Sequence, residues 1–258
     1  MNAIFPHPRG VHLCSSTAPA EAGTMTEHSA DAELMTKLQH AGHGGSAEQI
    51  ETELQSMGQA PVPALPSQEL CEAFLINVLK NQGSVNCASN RSEAVQAVAD
   101  YLHERFRNRK LVAGNDPRLA AMPWRDGGVL PRFGAAEQGE NASLSYAKLG
   151  VAETGSIVTF TGRNNPAANN LLVEDHIVLL DVDDLVTNLD DAWKVINADL
   201  LKAGRPRGIN FISGPSSTAD IEAQLVKGAH GPRAWHVILM EKCPKPRWRM
   251  HWAISRSV

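Results

Sequence analysis

The stretch HIVLLDV, residues 176–182, constrains the fold of this chain most. Its apolar residues run on without alternation. A strand with one face in water alternates apolar and polar side chains, whereas an unbroken run suits a strand covered on both faces. AWHVILM, at 234–240, has the same character. Doubly covered sheets are mostly parallel, and parallel neighbours need crossover connections, usually helices. The chain supplies them. SVNCAS (84–89) reads as a short strand, Val95, Val98, Leu102 and Phe106 mark one face of a helix, and KLVAG (110–114) reads as the next strand. SIVTF (156–160) and INFIS (209–213) are also strand-like, and Asn188 and Asp191 open a helix containing Trp193 and Ile196. The alternation predicts an α/β domain, an open and mostly parallel sheet flanked by helices.

Upstream, Ser46 and Gln49 fit a capping box, followed by Ile50, Leu54 and Met57 at helical spacing. After the linker GQAPVPALP (58–66), a helix is predicted from Ser67, with Leu70, Phe74, Val78 and Leu79 apolar. Residues 1–45 are rich in Ala, Gly, Ser, Thr and His and read as a flexible N-terminal tail. Residues 46–240 read as the α/β domain, and 241–258 as a basic tail that docks on a partner or packs back on its own domain.

Composition narrows the function classes. The 258 residues carry 24 basic and 28 acidic side chains, a net charge of −4, which gives no general attraction to nucleic acid or anionic membranes. No apolar run approaches the roughly 20 residues of a spanning helix, so no transmembrane segment is expected. The N-terminus holds Arg9 but no apolar core and does not read as a secretory signal. Cys14, Cys71, Cys87 and Cys243 form no C-x-x-C pair, so neither a zinc ribbon nor an iron–sulfur cluster is predicted. They read as reduced thiols of a cytoplasmic protein, with no metal and no cofactor.

Three loops carry chemistry-bearing residues. In FISGPSSTADIEAQLVKGAHGPR (211–233), Ile221, Leu225 and Val226 predict a short helix ending at Gly228. Gly214 would turn the chain at a parallel strand's C-terminal end, and Ser216, Ser217 and Thr218 would offer hydroxyls beside the free N–H groups of that helix. Such a site suits a phosphate, a carboxylate or an enolate oxygen. Ser217 and Asp220 read equally well as a capping box, which would use both locally. The stretch lacks the lysine of a Walker A loop and lacks G-x-G-x-x-G. In KLGVAETGSIV (148–158), Glu153, just before Gly155, is placed to act as base or nucleophile, or is simply a turn acid bonded to nearby N–H groups. In GAHGPR (228–233), His230 is a candidate acid/base and Arg233 a fork for a carboxylate or phosphate; the alternative is a packed histidine in a Gly/Pro turn. His176 and His236 lie inside apolar strands and read as core histidines.

These loops also carry a resemblance. GVAETGSIV (150–158), EDHIVLLDVDDLV (174–186) and the pairing of GPSSTADIE with G-x-HGPR resemble the LUD domain family, represented by lactate utilisation protein C. The resemblance spans roughly 46–240 and is strongest after 150. It implies a fold similar to glucosamine-phosphate deaminase, ribose-phosphate isomerase and coenzyme A transferases. It also implies a role beside iron–sulfur partner subunits in a complex that oxidises L-lactate to pyruvate. In that setting a small carboxylate or phosphate would meet Gly155, Gly214, Ser216, Ser217, Thr218 and Arg233, with Glu153, Asp220 and His230 as candidate catalytic groups. No residue here matches an established catalytic motif of the family. The alternatives are a stand-alone isomerase or acyl/CoA transferase-like enzyme, and a module that keeps the fold without chemistry.

Overall fold

The computed structural model describes residues 45–58, 64–219 and 225–240, together with Thr36. The tails expected at the two ends lie outside these residues, Thr36 and Gly45 apart, as does Asp220. The chain divides into two units, residues 1–60 and 61–258. The first contains helix α1 (Ala47–Ser56), opened by the expected capping box: Ser46 Oγ accepts from Gln49 N at 3.2 Å, and Gln49 Oε1 accepts from Ser46 N at 2.9 Å. Its apolar side chains Ile50 and Leu54 are exposed, as is Met57 at its C-cap.

The second unit begins with α2 (Leu70–Lys80), three residues later than Ser67 predicts. Ser67 instead accepts from Glu69 N and donates to Glu72, bracing the approach to the helix. Then come β1 (Ser84–Ala88), α3 (Arg91–Phe106), β2 (Lys110–Ala113), the single turn α4 (Pro117–Ala120), β3 (Leu130–Phe133) and β4 (Ala142–Tyr146). The pair β5 (Leu149–Val151) and β6 (Ser156–Thr161) leads through α5 (Ala167–Leu171) to β7 (Asp175–Asp181). The chain ends with β8 (Leu185–Val186), α6 (Leu189–Ala203), β9 (Gly208–Ile212), β10 (Ser217–Ala219), β11 (Leu225–Lys227) and β12 (Ala234–Met240).

Six strands form the main sheet in the order β1-β12-β7-β4-β2-β3, and every neighbouring pair is parallel. Both apolar runs lie inside it as adjacent strands, β12 and β7, buried as their patterns require. Because side chains alternate across a strand, Ile177 and Leu179 join Leu144 and Ile238 beneath α3, while Val178 and Leu180 join Val237 and Leu239 beneath α2. The α3 face is the predicted one: Val95, Val98 and Leu102 are fully buried. Asn90 caps this helix by accepting from Glu93 N at 2.9 Å.

SIVTF and INFIS are strands, but not of the parallel sheet. They form β6 and β9 of a second, four-stranded sheet, β8-β5-β6-β9, in which β6 is antiparallel to both neighbours. The tight turn between Val151 and Ser156 folds β6 back on β5, which a parallel connection could not do. Helix α6, capped by Asn188 as predicted, covers this sheet with Ala192 and Ile196 against Leu149, Val151 and Val158. The helix expected to contain Leu225 and Val226 is also absent. Ser217, Thr218 and Ala219 pair antiparallel with Lys227, Val226 and Leu225. Gly228 has a positive φ of 82°, as a glycine ending a helix would, yet it follows a strand, and its N–H donates to Ser216 O at 2.9 Å. An i, i+4, i+5 spacing of apolar residues in so short a stretch does not separate a helix from a hairpin.

The N-terminal ends of the parallel strands are locked by polar contacts. Asp175, fully buried, accepts from Arg105 Nε at 2.8 Å, Arg105 Nη2 at 3.1 Å and the Tyr101 hydroxyl at 2.8 Å. Burial and the Asp175 charge push the Tyr101 phenol above its ordinary range. The Tyr101 ring stacks on His236 at 4.4 Å, and His236 Nδ1 meets Ser84 Oγ at 2.8 Å. One buried carboxylate thus ties α3 to β7, β12 and β1. Removing it leaves a partly buried hydroxyl without its acceptor and an exposed guanidinium without its partner, so Asp175→Ala is expected to lower unfolding stability by about 1–3 kcal/mol in urea titration at neutral pH.

Both core histidines are buried as expected, and burial lowers His176 to about 4 and His236 to about 3 from 6.5. Among the described residues, His176 Nδ1 and His236 Nε2 have no hydrogen-bond partner, so neither ring has a stabilising contact there for a second proton. The folded state therefore binds fewer protons than the unfolded chain below pH 6.5. Stability is full above that value and falls as the pH drops towards 4, by on the order of 2 kcal/mol per histidine at pH 5. Urea midpoints at pH 7 and pH 5 test this, and His236→Gln is expected to flatten the difference.

Candidate functional site

The two loops singled out around Glu153 and Gly214 do come together, and what they enclose is the end of α2. Asn77 Nδ2 donates to the carbonyls of Ala152 and Glu153 at 2.8 and 3.0 Å, and Asn81 Nδ2 donates to Thr154 O at 2.7 Å. Ser156 Oγ bonds both Thr154 Oγ1 and Ser213 Oγ, stitching the loops to each other. Gly155 has φ 63°, and a Cβ there would lie 2.5 Å from the Asn77 carbonyl carbon. At Gly214, φ 124°, it would lie 2.5 Å from Asn81 O. The close approach that these glycines permit is therefore to helix backbone. The Glu153 carboxylate accepts from Leu189 N at 3.0 Å, at the first turn of α6, where an acid also meets the positive end of the helix dipole.

Ser216 and His230 are neighbours as well. Ser216 N donates to Pro232 O at 2.8 Å, and Ser216 Oγ accepts from His230 N at 3.3 Å. Arg233 N donates to Glu174 O, and its side chain shares an open cavity of about 540 Å³ with His230, Glu174, Leu171 and Leu172. Ser217 and Thr218 are hairpin residues, paired with Lys227 and Val226. INFIS ends an antiparallel strand rather than a parallel one, so this loop cluster lies away from the C-terminal ends of the main sheet's strands.

At those C-terminal ends lies a polar crevice of about 260 Å³. Tyr146 closes β4, Asp181 closes β7, Met240 closes β12, and Arg91 opens α3 after β1. Arg118 and Met122 come from the segment after β2, and Asp183 and Asp184 from the single 3-10 turn after β7. In open parallel sheets this edge is where ligands sit, because neighbouring connections diverge there. Here β2 leads outward to β3, whereas β4, β7 and β12 follow one another the other way across the sheet.

The crevice groups are held in place. Asp116 caps α4 by accepting from Arg118 N at 2.9 Å, and its carboxylate also takes Arg118 Nε at 3.1 Å and Nη2 at 2.9 Å. The guanidinium lies over the Tyr146 ring, 3.7 Å from its centroid. The Tyr146 hydroxyl donates to Asp181 Oδ1 at 2.7 Å. Burial, then this bond to Asp181, pushes the phenol above its usual range, so it remains a donor. Burial and the nearby Asp181 charge also raise the Asp184 carboxyl. None of the described candidate site residues named from the sequence lines the crevice, although Asp181, Asp183 and Asp184 lie within the stretch at 174–186 that carries the family resemblance. The signal for it was present in LLDVDD, where an apolar strand runs straight into acids, but ASLSY was not recognised as a strand and Tyr146 went with it. Among the described residues, no group of three or more His, Cys, Asp or Glu is placed to hold a metal ion, and no helix is long and apolar enough to cross a membrane.

These placements separate packing from chemistry. Gly155→Ala is expected to cost about 2–4 kcal/mol through its positive φ and its collision with α2, whereas Glu153→Ala is expected to cost only about 1 kcal/mol as a lost helix cap. Thermal and urea unfolding of both variants checks the order.

Comparison with known proteins agrees with the resemblance seen in the loops. Residues 139–240, from just before β4 to the end of β12, match the family model described as the LUD domain. The chain is 26% identical to Lactate utilization protein C of Macrococcus caseolyticus over 67% of its own length and 81% of that protein's. The corresponding Bacillus subtilis protein is 25% identical over 65% of this chain and 79% of that one. The Geobacillus kaustophilus protein of the same name is 34% identical over 42% and 45%. Among solved structures, a DUF162 family protein from Deinococcus radiodurans matches with a TM-score of 0.49 and 21% identity, over 66% of this chain and 96% of that one. The half of the described unit that contains β4, β7 and β12 thus carries a match to the LUD domain family.

Proposed function

We propose that this chain serves L-lactate utilisation as a cytoplasmic subunit without iron–sulfur clusters of its own. Iron–sulfur partner proteins would carry electrons away as L-lactate is oxidised to pyruvate. The observation that carries the reading is the similarity to proteins named Lactate utilization protein C along about four-fifths of their length. The scattered cysteines, at least 16 positions apart, support placing the clusters on partners. The subunit's own share is to bind a small carboxylate or phosphate. A second reading, a stand-alone isomerase or acyl/CoA transferase-like enzyme, draws support from a polar crevice at the C-terminal strand ends, where enzymes of open parallel sheets hold their substrates.

Deleting the gene while leaving its neighbours intact separates the readings. The subunit reading expects lost or strongly slowed growth on L-lactate as sole carbon source, normal growth on glucose, and co-purification of iron–sulfur proteins with the tagged chain. Normal growth on L-lactate overturns it, and turnover of a phosphosugar or acyl thioester by the purified single chain establishes the second reading.

A further inference from the structure

The crevice holds more recognition capacity than its fold uses. Arg118 is fixed before any ligand arrives: Asp116 takes Nε and Nη2, the plane rests on Tyr146, and Nη1 has no partner among the described residues. Arg91, at the first position of α3, likewise has no hydrogen-bond or ion-pair partner there. In the same lining, Asp181 is held through Oδ1 by Tyr146, and among the described residues neither Asp181 Oδ2 nor the half-buried Asp184 has a hydrogen-bond partner. Preset guanidinium and preset carboxylate impose a two-part requirement. An anionic group satisfies the arginine side. Opposite it, a ligand without a hydrogen to donate leaves Asp181 and Asp184 desolvated and repelling the anion. A hydroxyl next to the anionic group meets both conditions. The volume, about 260 Å³, suits a small metabolite and is below the usual range for larger ligands.

We propose that this crevice binds a small hydroxylated anion, a hydroxy acid or a hydroxylated phosphate ester, with Arg118 and Arg91 taking the anionic group and Asp181 accepting the hydroxyl hydrogen. This deepens the function proposed above, from which it takes only the expectation of a small anionic ligand, and its test needs no partner protein.

Met122 and Met240 line the crevice. With ¹³C-methyl methionine in the full chain, titration with L-lactate or sn-glycerol 3-phosphate is expected to shift the Met122 and Met240 signals saturably. Propionate and methyl phosphate, which lack the hydroxyl, are expected to bind about tenfold more weakly. Arg118→Gln is expected to weaken the hydroxylated ligand by about tenfold or more, with Arg118→Lys intermediate. Asp181→Asn is expected to erase the preference over the analogue that lacks the hydroxyl. Should Arg118→Gln not fold, the methyl shifts and the ligand ranking of the unaltered protein decide the matter.

Binding that leaves Met122 and Met240 unmoved, no binding by any of the four probes, or binding indifferent to Arg118→Gln in a folded variant overturns the proposal. A growth defect on L-lactate without crevice binding preserves the lactate reading and sinks this one. Crevice binding of sn-glycerol 3-phosphate alongside normal growth on L-lactate does the reverse.

Discussion

Strand β7 must be covered on both faces, and the rest of the larger unit is arranged to do it. Between Asp175 and Asp181 every residue is buried and none carries an acid or a fixed base. A charge in the middle of such a strand would lose its water without gaining a partner. Carboxylates are therefore confined to its ends, and the two ends are used differently. At the N-terminal end Asp175 is consumed by Arg105 and Tyr101, which anchor α3 across three strands. At the C-terminal end Asp181 is bonded by one hydroxyl and opens onto a crevice. The first carboxylate holds the fold, and the second is left with capacity to spare.

Covering β7 from the side opposite α3 takes two elements. Helix α2 lies against it, and the small sheet closes over both, with Gly150 of β5 so close that a Cβ would overlap Leu180 of β7 and crowd Phe74 of α2. This is why the loops at Glu153 and Gly214, rich in small and hydroxylated residues, end up clasping α2. Small residues permit close approach, and the partner here is a helix end rather than a metabolite. The same logic makes Asn77 and Asn81 structural, since their amides satisfy three loop carbonyls that would otherwise be left without donors.

Much of this was legible in the chain. The two apolar runs are buried strands of a parallel sheet, the helix marked by Val95, Val98 and Leu102 buries that face, the caps at Ser46 and Asn188 form as read, and both strand histidines are core residues. All of these rest on local periodicity or on contacts three residues apart. The misreadings share another cause. Whether β6 and β9 join the parallel sheet or a separate antiparallel one depends on which edge each strand meets. The apolar residues Leu225 and Val226 pair with residues six to eight positions upstream, where helical spacing was assumed.

The sequence by itself determined that a doubly covered parallel sheet would form, which residues would fill it, and that family likeness would concentrate in its second half, because burial pattern and capping are written in neighbouring residues. The tertiary structure alone decided where a ligand can be met. Arg91, Arg118, Tyr146 and the neighbouring Asp181 and Asp184 come from four separate segments. They converge because parallel strands all end on one side of the sheet, and that convergence is a property of topology rather than of any stretch of chain.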